Sequence, residues 1–283
     1  MKKIGFVDYY ISEWHANNYP GWIKNICEQK GYDYKLSYVW AEKDISPVDG
    51  RSTDQWCEAF GAEKCETIEE LCQKCDVIFI LAPSNEEKHL PYAEKVFPFA
   101  KPTYVDKTFA ECYESGAKIF ELAEKYGTPF FSSSALRYSD AFDGYDDPRN
   151  MTISIAGASV AEYIIHAVEQ LVKKLGTGAT TVTCIPNGRE RYFFVRYPDE
   201  RSATVIFANF VWPDVTTVQR RDNSAKSVAG TVRVFDGLIA DILRFFEEGT
   251  VSFDTNQTLE AMKLRDAMVK ANRGENLGVT LEV

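Results

Sequence analysis

Two places in the sequence carry residues able to do chemistry. Lys107 stands between Asp106 and Thr108, where the short β-branched and aromatic run Tyr104-Val105 ends. In open parallel sheets ligands bind outside the carboxyl ends of the strands, so a lysine placed there can polarise or protonate a substrate oxygen. A solvated lysine paired with Asp106 explains the same three residues. The second place is a predicted helix in which Glu162, His166 and Glu169 fall at i, i+4 and i+7, on one face. A histidine with a carboxylate one turn away on each side suits a general base, and a satisfied interfacial histidine is the plainer reading. Cys72 and Cys75 have redox-motif spacing, but they end a helix rather than begin one, so a structural role is expected.

The elements that must hold these residues alternate. Ile4 to Tyr9 reads as a strand, Pro20 opens a helix that stops at Gly31, and Tyr34 to Trp40 alternates as a second strand. Thr53 to Phe60 is a short helix, and Thr67-Ile68-Glu69-Glu70 has the pattern of a capping box. Asp76 to Leu81 is nearly continuous apolar sequence, as in a strand buried on both faces. A helix from about Glu86 leads to the strand ending at Lys107, and a further helix and strand follow to Ser134. Residues 1–135 therefore read as a Rossmann-like doubly wound α/β domain. In 136–283 a polar loop, a strand and a long helix from Ser159 precede strands at Thr180 to Ile185, Arg191 to Tyr197 and Ala203 to Phe210. Val211 to Val228 reads as irregular, and two helices finish the chain. That half is expected to be an α+β domain on a mainly antiparallel sheet.

Composition narrows the partners. The chain has 283 residues, 45% hydrophobic and 26% charged, with a net charge of −10 and dispersed cations. Duplex nucleic acid is disfavoured on that ground, and no apolar run approaches the roughly 20 residues that span a bilayer. The 3 histidines and 7 cysteines form no recognisable metal pattern, and Met1-Lys2-Lys3 leads straight into a strand, so no metal and a cytoplasmic location are expected. Phe193, Val195, Val205 and Phe207 give the later strands an apolar character that suggests a homodimer or higher homo-oligomer formed through that sheet.

Taken together, these motifs give the chain a resemblance to the Gfo/Idh/MocA family of NAD(P)-dependent oxidoreductases over most of its length. Val105-Asp106-Lys107-Thr108 is similar to the family's Glu-Lys-Pro strand end, without the proline. Leu81-Ala82-Pro83-Ser84-Asn85, with His89 and Ala93, resembles its Thr-Pro-x-x-x-His-x-x-x-Ala segment, widened by a few residues. Ser132 to Tyr138 is similar to its entry into the second domain, and Glu162-Tyr163-Ile164-Ile165-His166-Ala167-Val168-Glu169 to its catalytic helix, with Glu for Asp. Leu277 to Leu281 resembles its ending. One motif departs. Where the family has G-x-G-x-x-G after the first strand, the leading glycine positions hold Asp8 and Tyr10, so dinucleotide binding is expected to be weakened, rearranged or lost there.

The resemblance implies hydride transfer between NAD or NADP and a sugar, cyclitol or related polyol. His166 would take the hydroxyl proton, Lys107 would polarise the forming carbonyl and Glu162 would tune the pair. Glu42, after the second strand, is the candidate ribose acceptor and favours NAD. Asp8, Tyr10, His15, Ala82, Pro83, Asn85 and Asp106 complete the cofactor side, although His15 is equally explained by loop packing. Arg137, Tyr138, Trp212 and Arg220 are substrate-side candidates by position. Two other readings stand beside this one. The first is a non-redox sugar-binding or regulatory module that has lost the dinucleotide; the second is an enzyme of redox-neutral acid–base chemistry.

Overall fold

The structure, a computed structural model, describes residues 1–208, 214–230, 234–274 and 279–280. It divides into two compact units, Met1–Ser133 with Phe235–Thr255, and Ser134–Val234 with Asn256–Val283.

The first unit runs β1 (Lys2–Asp8), α1 (Trp14–Lys30), β2 (Tyr34–Ala41), α2 (Thr53–Phe60), β3 (Glu63–Lys64), α3 (Ile68–Lys74), β4 (Val77–Ile80), α4 (His89–Val96), β5 (Thr103–Val105), α5 (Tyr113–Tyr126) and β6 (Phe130–Ser132). Its six strands lie in the order β3-β2-β1-β4-β5-β6 and every pair is parallel. All four residues of β4 are buried, as the apolar run requires of a strand with helices on both faces. Strand order reverses between β1 and β4, which places a crevice beyond Asp8 and Leu81. Gly5 in β1 serves packing: a Cβ there would lie 2.6 Å from Cys75 Sγ and 2.6 Å from Leu71 Cδ2, so only glycine lets α3 seat this closely.

Two local expectations are corrected. Helix α1 begins at Trp14, six residues before Pro20, because Glu13 caps it and Pro20 is carried inside the helix while His15, Ala16 and Tyr19 are buried. The capping box at Thr67 is half formed: Thr67 Oγ1 accepts from Glu70 N at 3.0 Å, but Glu70 Oε2 accepts from the amide of Glu66 instead.

The second unit contains β7 (Pro148–Ile155), α6 (Val160–Leu175), β8 (Thr181–Asn187), β9 (Glu190–Arg196), β10 (Ser202–Phe207), β11 (Val215–Arg220), β12 (Ala225–Ala229), α8 (Asn256–Asn272) and β13 (Val279–Thr280). Between β12 and α8 in the chain, α7 (Val234–Glu248) belongs from Phe235 onward to the first unit. There Phe245 meets Phe131 at 5.1 Å and Phe246 meets Phe79 at 5.4 Å. The second sheet has the order β12-β11-β7-β10-β9-β8-β13 and is mostly antiparallel, with β7 and β10 the parallel pair. The stretch expected to be irregular holds the β11–β12 hairpin. Its strands are largely polar, which hides them from an apolar pattern search, and they sit at the sheet edge.

The apolar strand residues are also placed differently from the association argument. Phe193, Val195, Val205 and Phe207 are at most 2% exposed and pack in one core with Ile164, Leu171 and Met268 of α6 and α8. The opposite face of the sheet carries Ile185, Phe194 and Val215, all exposed. Strand side chains alternate, so adjacent phenylalanines 193 and 194 necessarily serve opposite faces.

Candidate functional site

At the carboxyl edge of the first sheet, Asp106 follows β5 and its amide donates to Ile80 O at 2.9 Å, which aligns the ends of β4 and β5. Its buried carboxylate collects donors. Lys107 N donates to Oδ1 at 2.8 Å, Tyr104 Oη at 3.2 Å and Tyr19 Oη at 3.4 Å, while His15 Nδ1 closes on Oδ2. Burial raises the Asp106 pKa, but the His15 charge and hydrogen bond outweigh it and hold the carboxyl below its usual range. Lys107 is half-buried and Nζ donates to Pro83 O at 3.0 Å, so the ammonium lies over the β4–β5 edge. The Lys107–Thr108 peptide is cis.

Asp8 ends β1 and is 1% exposed. Its Oδ1 accepts from Tyr9 N at 2.7 Å and Ala82 N at 3.0 Å, the second bond crossing the switch point to a residue held at φ 60°. Asp8 Oδ2 is buried with no hydrogen-bond partner among the described residues. Burial, then the neighbouring Glu13 charge, push the Asp8 carboxyl well above its ordinary range. Glu13 is itself 5% exposed and accepts from His15 N at 2.7 Å through Oε2 and from Ala16 N through Oε1, filling the amino terminus of α1. Burial pushes its pKa up to about 7, against the pull of His15 and of the two amides.

The remaining first-unit candidates lie along the same edge. Glu42, just past β2, accepts from Lys88 Nζ at 2.8 Å and Tyr92 Oη at 3.0 Å. Those two bonds outweigh burial and lower its pKa. Tyr10 is half-buried beside Tyr9, their ring centroids 5.8 Å apart. Asn85 Nδ2 donates to Glu87 Oε1 at 3.2 Å. His89 is fully buried and bridges Leu81 O and Phe109 O. Cys72 and Cys75 are buried free thiols; burial pushes Cys72 up to about 12 and Cys75 higher still, as suits a structural pair.

In the second unit, Ser159 Oγ caps α6 by accepting from Glu162 N at 3.2 Å. His166 is half-buried and its Nδ1 pairs with Ser134 Oγ at 2.8 Å. Tyr163 lies against Gly157, where a Cβ would come within 2.3 Å of the ring, and its centroid is 6.0 Å from that of His166. Glu169 does not flank His166 as a solvated carboxylate. It is buried and paired with Arg137 Nη1 at 2.9 Å, while Arg137 Nη2 reaches Gln257. Burial raises the Glu169 pKa and Arg137 pulls it part of the way back. Arg137 is thus an internal brace. Tyr138 is half-buried in the turn after Ser134. Arg220 is engaged at the sheet edge, Nε donating to Asp146 O at 2.8 Å. Trp212 lies outside the described residues. Sequence reasoning missed Ser134, whose link to His166 spans 32 positions, and missed Glu13 and Tyr19. The acidic residue directly before an amphipathic run was the one available signal for Glu13. Among the described residues no cluster of three His, Cys, Asp or Glu is arranged to hold a metal, and no helix is long and apolar enough to cross a membrane.

No family profile matches the sequence, and no curated protein does. Solved structures do match along the whole chain. The scyllo-inositol dehydrogenase of Lactobacillus casei, with bound NAD(H) and scyllo-inositol, is 13% identical with a TM-score of 0.76, covering 99% of this chain and 99% of its own. GenD2 of gentamicin A biosynthesis, in complex with NAD, is 11% identical with a TM-score of 0.78, covering 100% and 97%. An oxidoreductase of Thermotoga maritima is 13% identical with a TM-score of 0.76, covering 99% and 98%. The chain has their fold: a parallel six-stranded sheet followed by a mixed, mostly antiparallel one, as the family resemblance leads one to expect.

Proposed function

We propose that this chain is an oxidoreductase of Gfo/Idh/MocA type that moves a hydride between NAD or NADP and a sugar, cyclitol or related polyol in the cytoplasm. The observation that carries the reading is Lys107 at the carboxyl edge of β5, its ammonium held over Pro83 O, in a fold shared end to end with a scyllo-inositol dehydrogenase that binds NAD(H). The seven free cysteines support a reducing compartment.

A dinucleotide has a place at this edge. Glu42 supplies a carboxylate beyond β2 for a ribose hydroxyl and favours NAD, and Asp8 Oδ2 is an orphaned polar atom at the switch point. The nicotinamide ring, when bound, supplies the hydride acceptor or donor. The chain's own groups do the rest. In this reading His166 takes the hydroxyl proton, with Ser134 orienting the imidazole through Nδ1. Lys107 polarises the developing carbonyl oxygen, and Asp106, tied to His15, Tyr19 and Tyr104, fixes the strand end that carries it. Glu162, on the first turn of α6, tunes the charge near His166. Tyr138 and Arg220 remain substrate-side candidates. Copies of the chain associate as a homodimer or higher homo-oligomer through the sheet face that bears Ile185, Phe194 and Val215.

The test is titration of the purified protein with NADH and NADPH, followed by nicotinamide fluorescence, then a polyol panel with the matching oxidised cofactor. Saturable binding and turnover of at least one cyclitol or sugar are expected. Failure of both dinucleotides to bind up to millimolar concentration removes the reading.

A further inference from the structure

At the amino terminus of α1 two amides are already taken, and the chain has placed its own anion there. Glu13 Oε2 and Oε1 take the amides of His15 and Ala16, the donors that a helix amino terminus offers to a phosphate. The loop that carries Glu13 is packed rather than open: Ile11 and Ser12 are each 1% exposed. Ser12 Oγ donates to Asp49 at 2.7 Å, and Ser46 Oγ donates to Ser12 O at 2.7 Å. Independently, Asp8 Oδ2 is buried without a partner beside Glu13. On the solvent side two cations approach the Tyr9 ring, Lys88 at 4.7 Å and Lys43 at 6.0 Å.

We propose that Glu13 is an internal competitor for the diphosphate of the dinucleotide, which binds by evicting the Glu13 carboxylate from the amides of His15 and Ala16 and by engaging Asp8 Oδ2. The inference rests on the functional reading above and adds to it the residue that sets cofactor affinity. Glu13 and a diphosphate cannot share these amides, since both are anions and the amides are only two. Eviction is physically accessible because the carboxylate is held at the expense of its hydration. Burial drives its pKa upward, with Asp8, His15 and Asp106 facing it, and release to water restores the ordinary carboxylate. Asp8 Oδ2 is the buried oxygen left without a partner, and burial favours the acid form of its carboxyl, the form that can donate an O–H to a phosphate oxygen. The missing glycines are thereby replaced by a different device: a removable side chain and a buried carboxyl with one unpartnered oxygen.

The experiment compares NADH and NADPH binding to the full chain and to Glu13→Gly and Glu13→Gln, by nicotinamide fluorescence and by the amide nitrogen–proton signals of His15 and Ala16. Glu13→Gln keeps a capping oxygen and guards against a folding defect in the glycine variant, with circular dichroism as the check. Glu13→Gly is expected to bind at least about tenfold more tightly than wild type, with Glu13→Gln between them. The His15 and Ala16 signals are expected to shift with NADH in the wild type. Equal affinities across the three proteins, or binding that leaves those two amides unmoved, overturns this inference and leaves the functional reading standing. Binding by Glu13→Gly alone upholds the competition and removes the functional reading for the natural chain. No binding to any of the three overturns both.

Discussion

Lys107 Nζ donates to the carbonyl oxygen of Pro83 at 3.0 Å, so the ammonium is stationed across the β4–β5 edge by a backbone atom rather than by a carboxylate. Lys107→Ala is expected to lower kcat by at least about a hundredfold on any polyol that the wild type turns over, with urea unfolding changed by less than about 1 kcal/mol, since the side chain is only half-buried. Steady-state kinetics beside urea denaturation decide this, and unchanged kcat takes Lys107 out of the mechanism.

Arg137 and Glu169 form a buried pair at 2.9 Å inside the second unit. Removing one charge leaves the other uncompensated, so Glu169→Gln and Arg137→Met should each destabilise by about 3 to 5 kcal/mol. The double replacement Arg137→Met with Glu169→Leu should recover much of that loss. Urea midpoints of the single and double variants test it; additive losses would show that the two side chains do not act as a pair.

Glu13 imposes a sign on the pH dependence of stability. Its folded pKa is raised from 4.5 to about 7, so the folded chain holds the proton more tightly than the unfolded one. Stability from this group is therefore full below about 4.5 and declines as pH rises through about 7. Asp106 acts oppositely: its lowered pKa gives stability that is present above the ordinary carboxylate range and lost on acidification. The melting temperature of Glu13→Gln relative to wild type should accordingly be higher at pH 8 than at pH 5. A constant difference across that range would contradict the assignment.

The exposed face of the second sheet gives an assembly prediction. Light scattering at micromolar concentration should report a dimer for the wild type and a monomer for Phe194→Glu combined with Ile185→Lys, with circular dichroism unchanged because both side chains point away from the core. A wild-type monomer would refute the association.

Gly5 offers a stability test remote from the chemistry. A methyl group at this position meets Cys75 Sγ and Leu71 Cδ2 at 2.6 Å, so Gly5→Ala should cost about 1 to 3 kcal/mol in urea unfolding. A neutral result would mean that α3 can retreat freely.

The fold was readable where local pattern decides it. The apolar run at Val77–Ile80, the long helix starting near Ser159 and the lysine at the end of β5 each follow from a few neighbouring residues. What was not readable depends on partners distant in the chain. His15 reaches Asp106 across 91 positions, and no spacing rule links a loop histidine to a strand-end aspartate. Pro20 drew the predicted start of α1 past Glu13, because proline is the stronger local signal and a glutamate cap is uncommon. The period of two showed that Phe193 and Phe194 face opposite ways but not which of them meets α6. Nothing in the sequence of α7 says which sheet it covers.

The bond from Asp8 Oδ1 to the amide of Ala82 bears on any attempt to graft a conventional nucleotide loop onto this scaffold. Exchanging Asp8 for glycine would strip the acceptor from two amides at once, Tyr9 and Ala82, the latter on a residue already in the left-handed region at φ 60°. A transplant confined to residues 8–13 would therefore loosen the neighbouring strand's exit as well. A working graft has to exchange both loops together, the one after β1 and the one after β4.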